Sequence, residues 1–400
     1  MATDPVEQIN IEEIDSGFST NLGASLRRMA RFEPSVEVPY MTVYLDWRPE
    51  GGRPRHRPSM TIFENQGRDL VEAHPEESPA RQSLERDYQR IMSFIDAGID
   101  PAVQGVIIVA NDSLNIYETF VLAMPIETQV TTGPTPALLR MAQLVEDYPP
   151  YAVLLADQQD AVLTVINRAS PVASVEIRGD DAAKRHSQGG WSQRRFQTRH
   201  VERRASFARA VAEETRRAVI EGDIGMLIVA GGDVMLNALM NEFHEEVHKT
   251  IIGTLNMDIQ ASYNEILEAS LPLVRAREHE QELETVKTLL DEVGAGNRGV
   301  VGIDDTLKAL QLGQVMTLVM QNDFSEKGWA DYGLNVYGVG PIPSEHPAGG
   351  NVDDLFEVEL AEELVRLTVV TDAEGEIIHP NTAAAAAFGE HQVGAILRFK

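Results

Sequence analysis

Short apolar runs alternate with amphipathic stretches along this chain of 400 residues. Runs rich in β-branched and aromatic residues predict strands; they lie at 40–46, 103–110, 116–122, 151–155, 161–167, 172–177, 224–230, 249–255, 314–320, 369–371 and 394–399. Apolar residues three or four positions apart predict helices; they lie at 80–96, 135–146, 192–221, 234–248, 260–293, 306–310, 355–368 and 383–387. Residues 1–36 predict a polar, partly helical lead-in, and the Gly/Pro-rich stretch 323–350 predicts a loop. The alternation of strands and helices predicts an α/β protein.

The length of the chain exceeds one ordinary core and favours two or three domains. Pro149-Pro150 marks a natural boundary. The long charged helix predicted at 260–293, interrupted only by Pro272, is suited to linking two units. We therefore predict an N-terminal α/β domain at 1–148, a middle domain at 149–272 and a C-terminal domain at 273–400.

Composition narrows the class of protein. The chain contains no cysteine, which excludes disulfide and thiolate chemistry and fits a reducing compartment. The N-terminus is acidic without an apolar signal region, and the longest apolar runs are too short to span a bilayer. We expect a cytoplasmic protein with no membrane partner, no cofactor and no bound metal. The formal net charge of −28 argues against non-specific coating of nucleic acid and against DNA as a partner.

One segment opposes the acidic character of the chain. Residues 184–204, called the basic segment below, contain seven Lys/Arg and one acid, a net charge of +6. The cations are Lys184, Arg185, Arg194, Arg195, Arg199, Arg203 and Arg204. A solvated helix with surface ion pairs explains many charge runs, but one acid cannot pair with seven cations. Because phosphate groups are the commonest partners of such a segment, we predict that it binds nucleic acid.

Two weaker patterns have simpler explanations. The Gly/Pro-rich stretch 48–58 carries four arginines, and a solvated hairpin tip explains it better than RNA contact does. Gly231-Gly232-Asp233 follows an apolar run and precedes a helical one, as in some phosphate-binding turns. Asp233 as a helix N-cap explains this pattern more simply.

A zinc signature also appears in the sequence. His244-Glu245-Glu246-Val247-His248 matches H-E-x-x-H, in which two histidines on one helix face bind zinc and Glu245 is the base. Glu265 or Glu268 would supply a third ligand. Residues this common in helices match by chance in an acidic protein, so a solvated helix face is favoured. Zinc hydrolysis stays a remote alternative.

Three features together resemble a known family. Gly189-Gly190 lies just before the predicted basic helix. The run 307–319, LKALQLGQVMTLV, looks like the opening of the family's third domain, and Gly394–Phe399 looks like that domain's final strand. These features cover 150–400 and resemble the archaeal–eukaryotic class of peptide-chain release factors and their bacterial relatives. Pelota-type rescue factors and the hibernation factor Balon belong to the same group.

The resemblance implies three α/β domains, the middle one RNase H-like and the C-terminal one similar to kink-turn-binding ribosomal proteins. It implies binding in the ribosomal A site, with ribosomal RNA and peptidyl-tRNA as partners and a translational GTPase facing the third domain. The arginines of the basic segment would meet RNA phosphates. Gly189 and Gly190 would let its tip enter a narrow cavity, because glycine has no side chain.

The family's catalytic Gly-Gly-Gln device is incomplete here, because Trp191 stands at the glutamine position. Gln193 would position water in a peptidyl-tRNA hydrolase. Alternatively, Trp191 would stack on a base, worth about 1–3 kcal/mol, in a factor that only binds. The missing glutamine favours the binding factor. The family's Asn-Ile-Lys-Ser codon-reading tetrapeptide is also absent, so we predict ribosome rescue or hibernation in place of stop-codon recognition.

Overall fold

A computed structural model describes residues 6–13, 19, 21–50, 57–179, 193–222 and 224–400. Its strands are β1 (Val6–Glu13), β2 (Tyr40–Asp46), β3 (Gly105–Asn111), β4 (Ile116–Leu122), β5 (Gln129–Gly133), β6 (Tyr151–Ala156), β7 (Asp160–Asn167), β8 (Ser170–Gly179), β9 (Leu227–Gly231), β10 (Ile251–Leu255), β11 (Gly299–Val301), β12 (Val315–Gln321), β13 (Lys327–Asp331), β14 (Val336–Val339), β15 (Phe356–Glu359), β16 (Glu374–Ile378) and β17 (Val393–Leu397). Its helices are α1 (Leu22–Met29), α2 (Pro58–Glu72), α3 (Pro79–Asp96), α4 (Leu139–Asp147), α5 (Gln193–Glu221), α6 (Asp233–Glu242), α7 (Glu245–Thr250), α8 (Tyr263–Gly294), α9 (Ile303–Gln311), α10 (Leu360–Val370) and α11 (Ala383–Phe388). None of these helices is long and apolar enough to cross a bilayer.

The chain forms two compact units. Unit 1 contains β1 and residues 148–277, and unit 2 contains the chain from α1 to Asp147 together with residues 278–400. The α/β class predicted from the sequence is confirmed, since both units combine sheets with helices. The three predicted domain boundaries stay a prediction.

Unit 1 is built on a six-stranded mixed sheet in the order β1-β8-β7-β6-β9-β10. β1, β8, β7 and β6 pair antiparallel, whereas β9 pairs parallel with both β6 and β10. One apolar cluster joins the sheet to α5, α6 and α7, and it includes Phe207 and Val211 of α5. A second cluster joins the sheet to the first part of α8 through Ile266 and Val274. The sheet therefore lies between helices, as its apolar strands require.

The described residues of unit 2 form three sheets. β4-β3-β2-β5 is antiparallel and packs on α2 and α3. β11-β17-β12-β16 packs on the last part of α8 and on α11, and β14-β13-β15 forms a small antiparallel sheet. Ser78 caps α3 because its hydroxyl accepts from the backbone N–H of Arg81 at 3.2 Å. α4 begins where the partly buried carboxylate of Glu362 accepts from the N–H groups of Leu138 and Leu139, at 2.6 and 2.8 Å.

Several predicted elements were wrong in detail. The predicted helix 135–146 begins only at Leu139, after the strand β5. The predicted helix 234–248 is two helices, α6 and α7, separated by two residues in extended conformation. The lead-in 1–36 contains the strand β1 as well as α1.

Two further corrections concern the C-terminal part of unit 2. The predicted loop 323–350 contains β13 and β14. The predicted helix 355–368 begins as the strand β15, because these residues pair with β13. The predicted strand 369–371 lies at the end of α10, because the helix continues to Val370. The strand that follows is β16.

Candidate nucleic-acid interface

The basic segment divides between described and undescribed residues. Lys184, Arg185, Gly189, Gly190 and Trp191 lie outside the described residues. α5 carries the rest of the segment: Gln193, Arg194, Arg195 and Arg199 fall in its first turns, and Arg203 and Arg204 follow. The helix predicted at 192–221 is confirmed. Five arginines therefore share one helical stretch of twelve residues, which spans about 18 Å.

The charge of α5 changes along its length. Residues 193–204 hold five arginines and one acid, whereas 205–221 hold three arginines and three acids. Core contacts belong to the second part, where Phe207, Ala208, Val211, Ala212 and Val219 are buried. The cationic stretch thus comes before the stretch that anchors the helix to its sheet.

Cations in the anchored part of α5 are neutralised within the protein. Arg209 contacts Glu242 at 3.2 Å, Arg216 contacts Glu213 at 2.7 Å, and Arg217 contacts Glu214. The hydrogen bond from Arg216 lowers the pKa of the exposed Glu213. Each of these arginines already has its carboxylate partner.

Arg203 and Arg204, the cations of the basic segment whose side chains the structure describes, differ from them. Arg203 is exposed and has no ion pair among the described residues. Arg204 is partly exposed, and its Nε is buried without a hydrogen-bond partner in the described part of the chain. The only acid of the segment, Glu202, is exposed and pairs with neither. These two guanidinium groups retain the capacity to bind an anion.

The second arginine-rich stretch, 48–58, has internal partners at both ends. Arg48 contacts Asp46 at 2.6 Å, and this pairing lowers the pKa of Asp46 against the opposing effect of burial. Arg57 donates from Nε to the carbonyl oxygen of Trp47 at 2.8 Å and stacks over the Trp47 ring at 4.6 Å. Arg53 and Arg55 lie outside the described residues.

The H-E-x-x-H residues do not share a helix face. α7 begins at Glu245, and His244 precedes it in extended conformation. His248 packs edge-on against Phe243. No group of three or more metal-ligand side chains within the described ranges includes His244, Glu245 or His248. The structure thus gives the zinc hydrolase alternative no ligand set.

The prediction that Asp233 is the N-cap of a helix after β9 is wrong. Asp233 is the first residue of α6, the N-cap is Gly232, and no side chain caps the helix. Gly231 has a φ of +150°, and a Cβ there would lie 2.2 Å from the carbonyl oxygen of Ala156. Close packing of β9 against β6 therefore explains this glycine without a phosphate.

One cluster of reactive side chains was missed by the sequence analysis. His279, Glu282 and His379 offer ligand atoms that all lie within 4.8 Å of one another. His279 and Glu282, three residues apart on α8, give a weak local signal. His379 lies 97 residues from Glu282, so the sequence alone cannot join them.

Part of this chain is similar in sequence to known release factors. Residues 136–274 match the family model of bacterial archaeo-eukaryotic release factor family 10. Eukaryotic peptide chain release factor subunit 1 of Cryptosporidium hominis is 25% identical over 195 residues, which are 47% of this chain and 45% of that protein. The corresponding protein of Didinium nasutum is 24% identical over 186 residues, 44% of this chain and 42% of its own length. The chain thus spans under half the length of these relatives.

Solved structures of translation factors are also similar to the chain. Archaeoglobus fulgidus Pelota is 16% identical, covers 74% of this chain and 80% of its own, and superposes with a TM-score of 0.36. A model of ribosome-bound archaeal Pelota and ABCE1 is 13% identical, with 98% and 99% coverage and a TM-score of 0.40.

Proposed function

This chain belongs to the bacterial archaeo-eukaryotic release factors, and from that premise we propose that it binds ribosomal RNA in the A site through its basic segment. Rescue or hibernation of ribosomes is the role we assign to it. The curated relatives are named as peptide chain release factors, and they align with less than half of their length. A translational GTPase is proposed as a partner on the family resemblance alone.

The observation that carries this proposal is the contrast within α5. Arg209 and Arg216 form ion pairs with carboxylates of unit 1, whereas Arg203 is exposed and lacks an ion pair among the described residues. An exposed guanidinium binds a phosphate by two parallel hydrogen bonds without first breaking an internal salt bridge. Binding through Arg203 therefore has no ion pair among the described residues to replace.

The test compares two arginines of the same helix in the full chain. Wild-type protein is mixed with bacterial ribosomes and sedimented, and the affinity is measured for Arg203→Gln and Arg209→Gln. We expect Arg203→Gln to weaken binding about tenfold, because a hydrogen bond to a charged group contributes on the order of 1.5 kcal/mol. Arg209→Gln removes the same charge from a paired position and is expected to leave the affinity unchanged.

A second variant covers the first turns of α5. Replacing Arg194, Arg195 and Arg199 together by Glu is expected to abolish co-sedimentation. If this triple variant sediments with ribosomes as the wild type does, the RNA-binding proposal is wrong. Circular dichroism of each variant establishes that the helix content is retained.

Peptidyl-tRNA release separates the binding factor from the hydrolase. Wild-type protein is added to ribosomes loaded with peptidyl-tRNA, and the freed peptide is measured. Because Trp191 replaces the catalytic glutamine of the family, we expect no release above background. Release that is lost in Gln193→Ala would instead assign the hydrolase activity to Gln193.

A further inference from the structure

A cluster of histidine and carboxylate side chains lies in unit 2, away from the basic segment. His279 and Glu282 lie three residues apart on α8, and His379 directly follows β16. The rings of His279 and His379 have centroids 5.4 Å apart. All three residues offer ligand atoms within 4.8 Å of one another.

The carboxylate of Glu282 is buried and fixed in orientation. Its side chain is only 1% exposed. Oε1 lies 2.6 Å from Nδ1 of His379, while Oε2 accepts from the backbone N–H of His379 at 3.3 Å and from the Thr382 hydroxyl at 3.5 Å. A buried carboxylate requires a proton donor or a metal as its partner. Oε1 therefore faces the position that such a partner occupies.

Asp147 orients the His379 ring from the other side. Its Oδ1 lies 2.6 Å from Nε2 of His379, at the end of α4. A carboxylate on one ring nitrogen fixes the tautomer and leaves the other nitrogen as a ligand, an arrangement that supports histidine ligands of metals. With Nε2–H donating to Asp147, Nδ1 faces Oε1 of Glu282, and a metal that displaces the proton between these two atoms would gain both as ligands.

The surroundings are electronegative. Oδ1 of Asp147 and Oε1 of Glu282 each lie 2.6 Å from a ring nitrogen of His379. Burial, and to a smaller degree the charge of Glu282, raises the pKa of Glu376, which accepts from Thr285 at 3.1 Å. Two carboxylates therefore contact one imidazole ring and a third lies nearby, an environment that favours a cation with more than one charge.

We propose that His279, Glu282 and His379 form a binding site for a divalent transition metal, with zinc(II) as the best fit and Asp147 as the residue that positions His379. Two imidazoles and one carboxylate are a donor set that zinc takes with water as its fourth ligand. Tetrahedral bonds of about 2.0–2.1 Å place ligand atoms about 3.3 Å apart. To reach this geometry the exposed His279 moves towards the other two residues, and Nδ1 of His379 and Oε1 of Glu282 separate from 2.6 Å.

A metal at this site would link α8 to the turn after β16. A metal bound here would hold these elements together and would stabilise unit 2, because a ligand that binds only the folded state raises its stability. The proposal is independent of RNA binding and differs from the sequence expectation of no metal.

Metal titration of the full chain tests the site. The protein is prepared without a polyhistidine tag, stripped with EDTA and titrated with Zn²⁺ by calorimetry and with Co²⁺ by visible absorption. We expect one equivalent of each metal, a low-coordinate Co²⁺ spectrum and a higher thermal midpoint with Zn²⁺. Asp147→Asn is expected to weaken binding about 10–100-fold, the usual effect of losing a partner of a metal-bound histidine.

His279→Ala is the decisive variant, because its side chain is exposed and makes no hydrogen bond within the described ranges. It is expected to fold normally and to lose the stoichiometric site. The double variant His244→Ala/His248→Ala is the matched control and is expected to bind as the wild type does. Failure of the wild type to bind either metal, or equal binding by His279→Ala, would mean that the protonated His379 ring only bridges Asp147 and Glu282.

Discussion

The carboxyl group of Asp87 is buried, and only one of its two oxygens accepts a hydrogen bond among the described residues. It lies on the core face of α3 with no exposed surface, between Leu84 and Ile91. Oδ2 accepts from the N–H of Asp112 at 3.3 Å, while Oδ1 is buried with no partner in the described part of the chain. Burial raises the pKa of Asp87 to about 7, and the charge of Asp112 adds to the shift. Ionisation of this group therefore opposes folding near neutral pH.

The sign of the pH dependence follows from that pKa. An acid whose pKa rises from 3.8 to about 7 on folding contributes stability in full below pH 3.8 and loses it as the pH rises to about 7. We expect Asp87→Asn to raise the free energy of unfolding at pH 8 by up to about 4 kcal/mol and to change it little at pH 4. Thermal midpoints measured across this range test the prediction.

Glu85→Gln is the matched control for Asp87→Asn. It removes one negative charge from the exposed face of the same helix. Its effect on the thermal midpoint is expected to be small and independent of pH over this range, since surface changes usually fall within about 0.5 kcal/mol. Equal effects of the two variants at pH 8 would contradict the burial argument.

At the scale of elements, the turn between β9 and α6 depends on one glycine. A Cβ at Gly231 would lie 2.2 Å from the carbonyl oxygen of Ala156 on β6, and the φ of +150° disfavours any other residue. We expect Gly231→Ala to destabilise the protein by about 1–3 kcal/mol, because the strands cannot separate without losing their pairing. Thermal unfolding measures the loss.

The neighbouring glycine separates this packing effect from a general loss of glycine. Gly232 has a φ of −75°, and a Cβ there meets nothing within 4 Å. Gly232→Ala is expected to lower stability by less than about 1 kcal/mol, because alanine is a poorer N-cap than glycine. A large loss in both variants would mean that the turn needs glycine for a reason other than contact with β6.

Elements that are marked by their own residues were predicted correctly from the sequence. The strand 40–46 and the helix 80–96 were confirmed nearly to the residue, because β-branched and aromatic residues mark the strand and apolar periodicity marks the helix directly. The break between α6 and α7 gave no signal, since Leu239, Phe243 and Val247 are buried at the spacing of four that a continuous helix shows. Periodicity cannot reveal a break that preserves it.

Elements that depend on distant partners were missed. Glycine in 323–350 predicted a loop, but Gly338 is a strand residue whose missing side chain makes room for the Trp329 ring, which a Cβ would approach to 2.1 Å. The start of α4 is set by Glu362, 224 residues beyond Leu138. The His279, Glu282 and His379 cluster depends on contacts of the same kind. The sequence therefore predicted the fold class and the cationic helix, but not this cluster.

At the scale of the whole molecule, a protein of net charge −28 is proposed to bind a polyanion. At physiological ionic strength the Debye length is about 8 Å, so distant carboxylates contribute little to the potential at the basic segment. Local charge then decides binding, and the acidic remainder limits attachment to RNA elsewhere. The first part of α5 supplies that local charge through Arg194, Arg195, Arg199, Arg203 and Arg204.

Salt dependence measures how many phosphates this surface meets. The logarithm of the ribosome affinity is expected to fall linearly with the logarithm of the salt concentration, and each phosphate contact contributes about 0.7–0.9 to the slope. Arg203→Gln is expected to reduce the slope by about that amount, whereas Arg209→Gln, which removes a cation paired with Glu242, leaves it unchanged. Equilibrium sedimentation at four or more salt concentrations gives both slopes. A wild-type affinity that does not change with salt would show that the chain binds ribosomes through protein contacts and not through RNA phosphates.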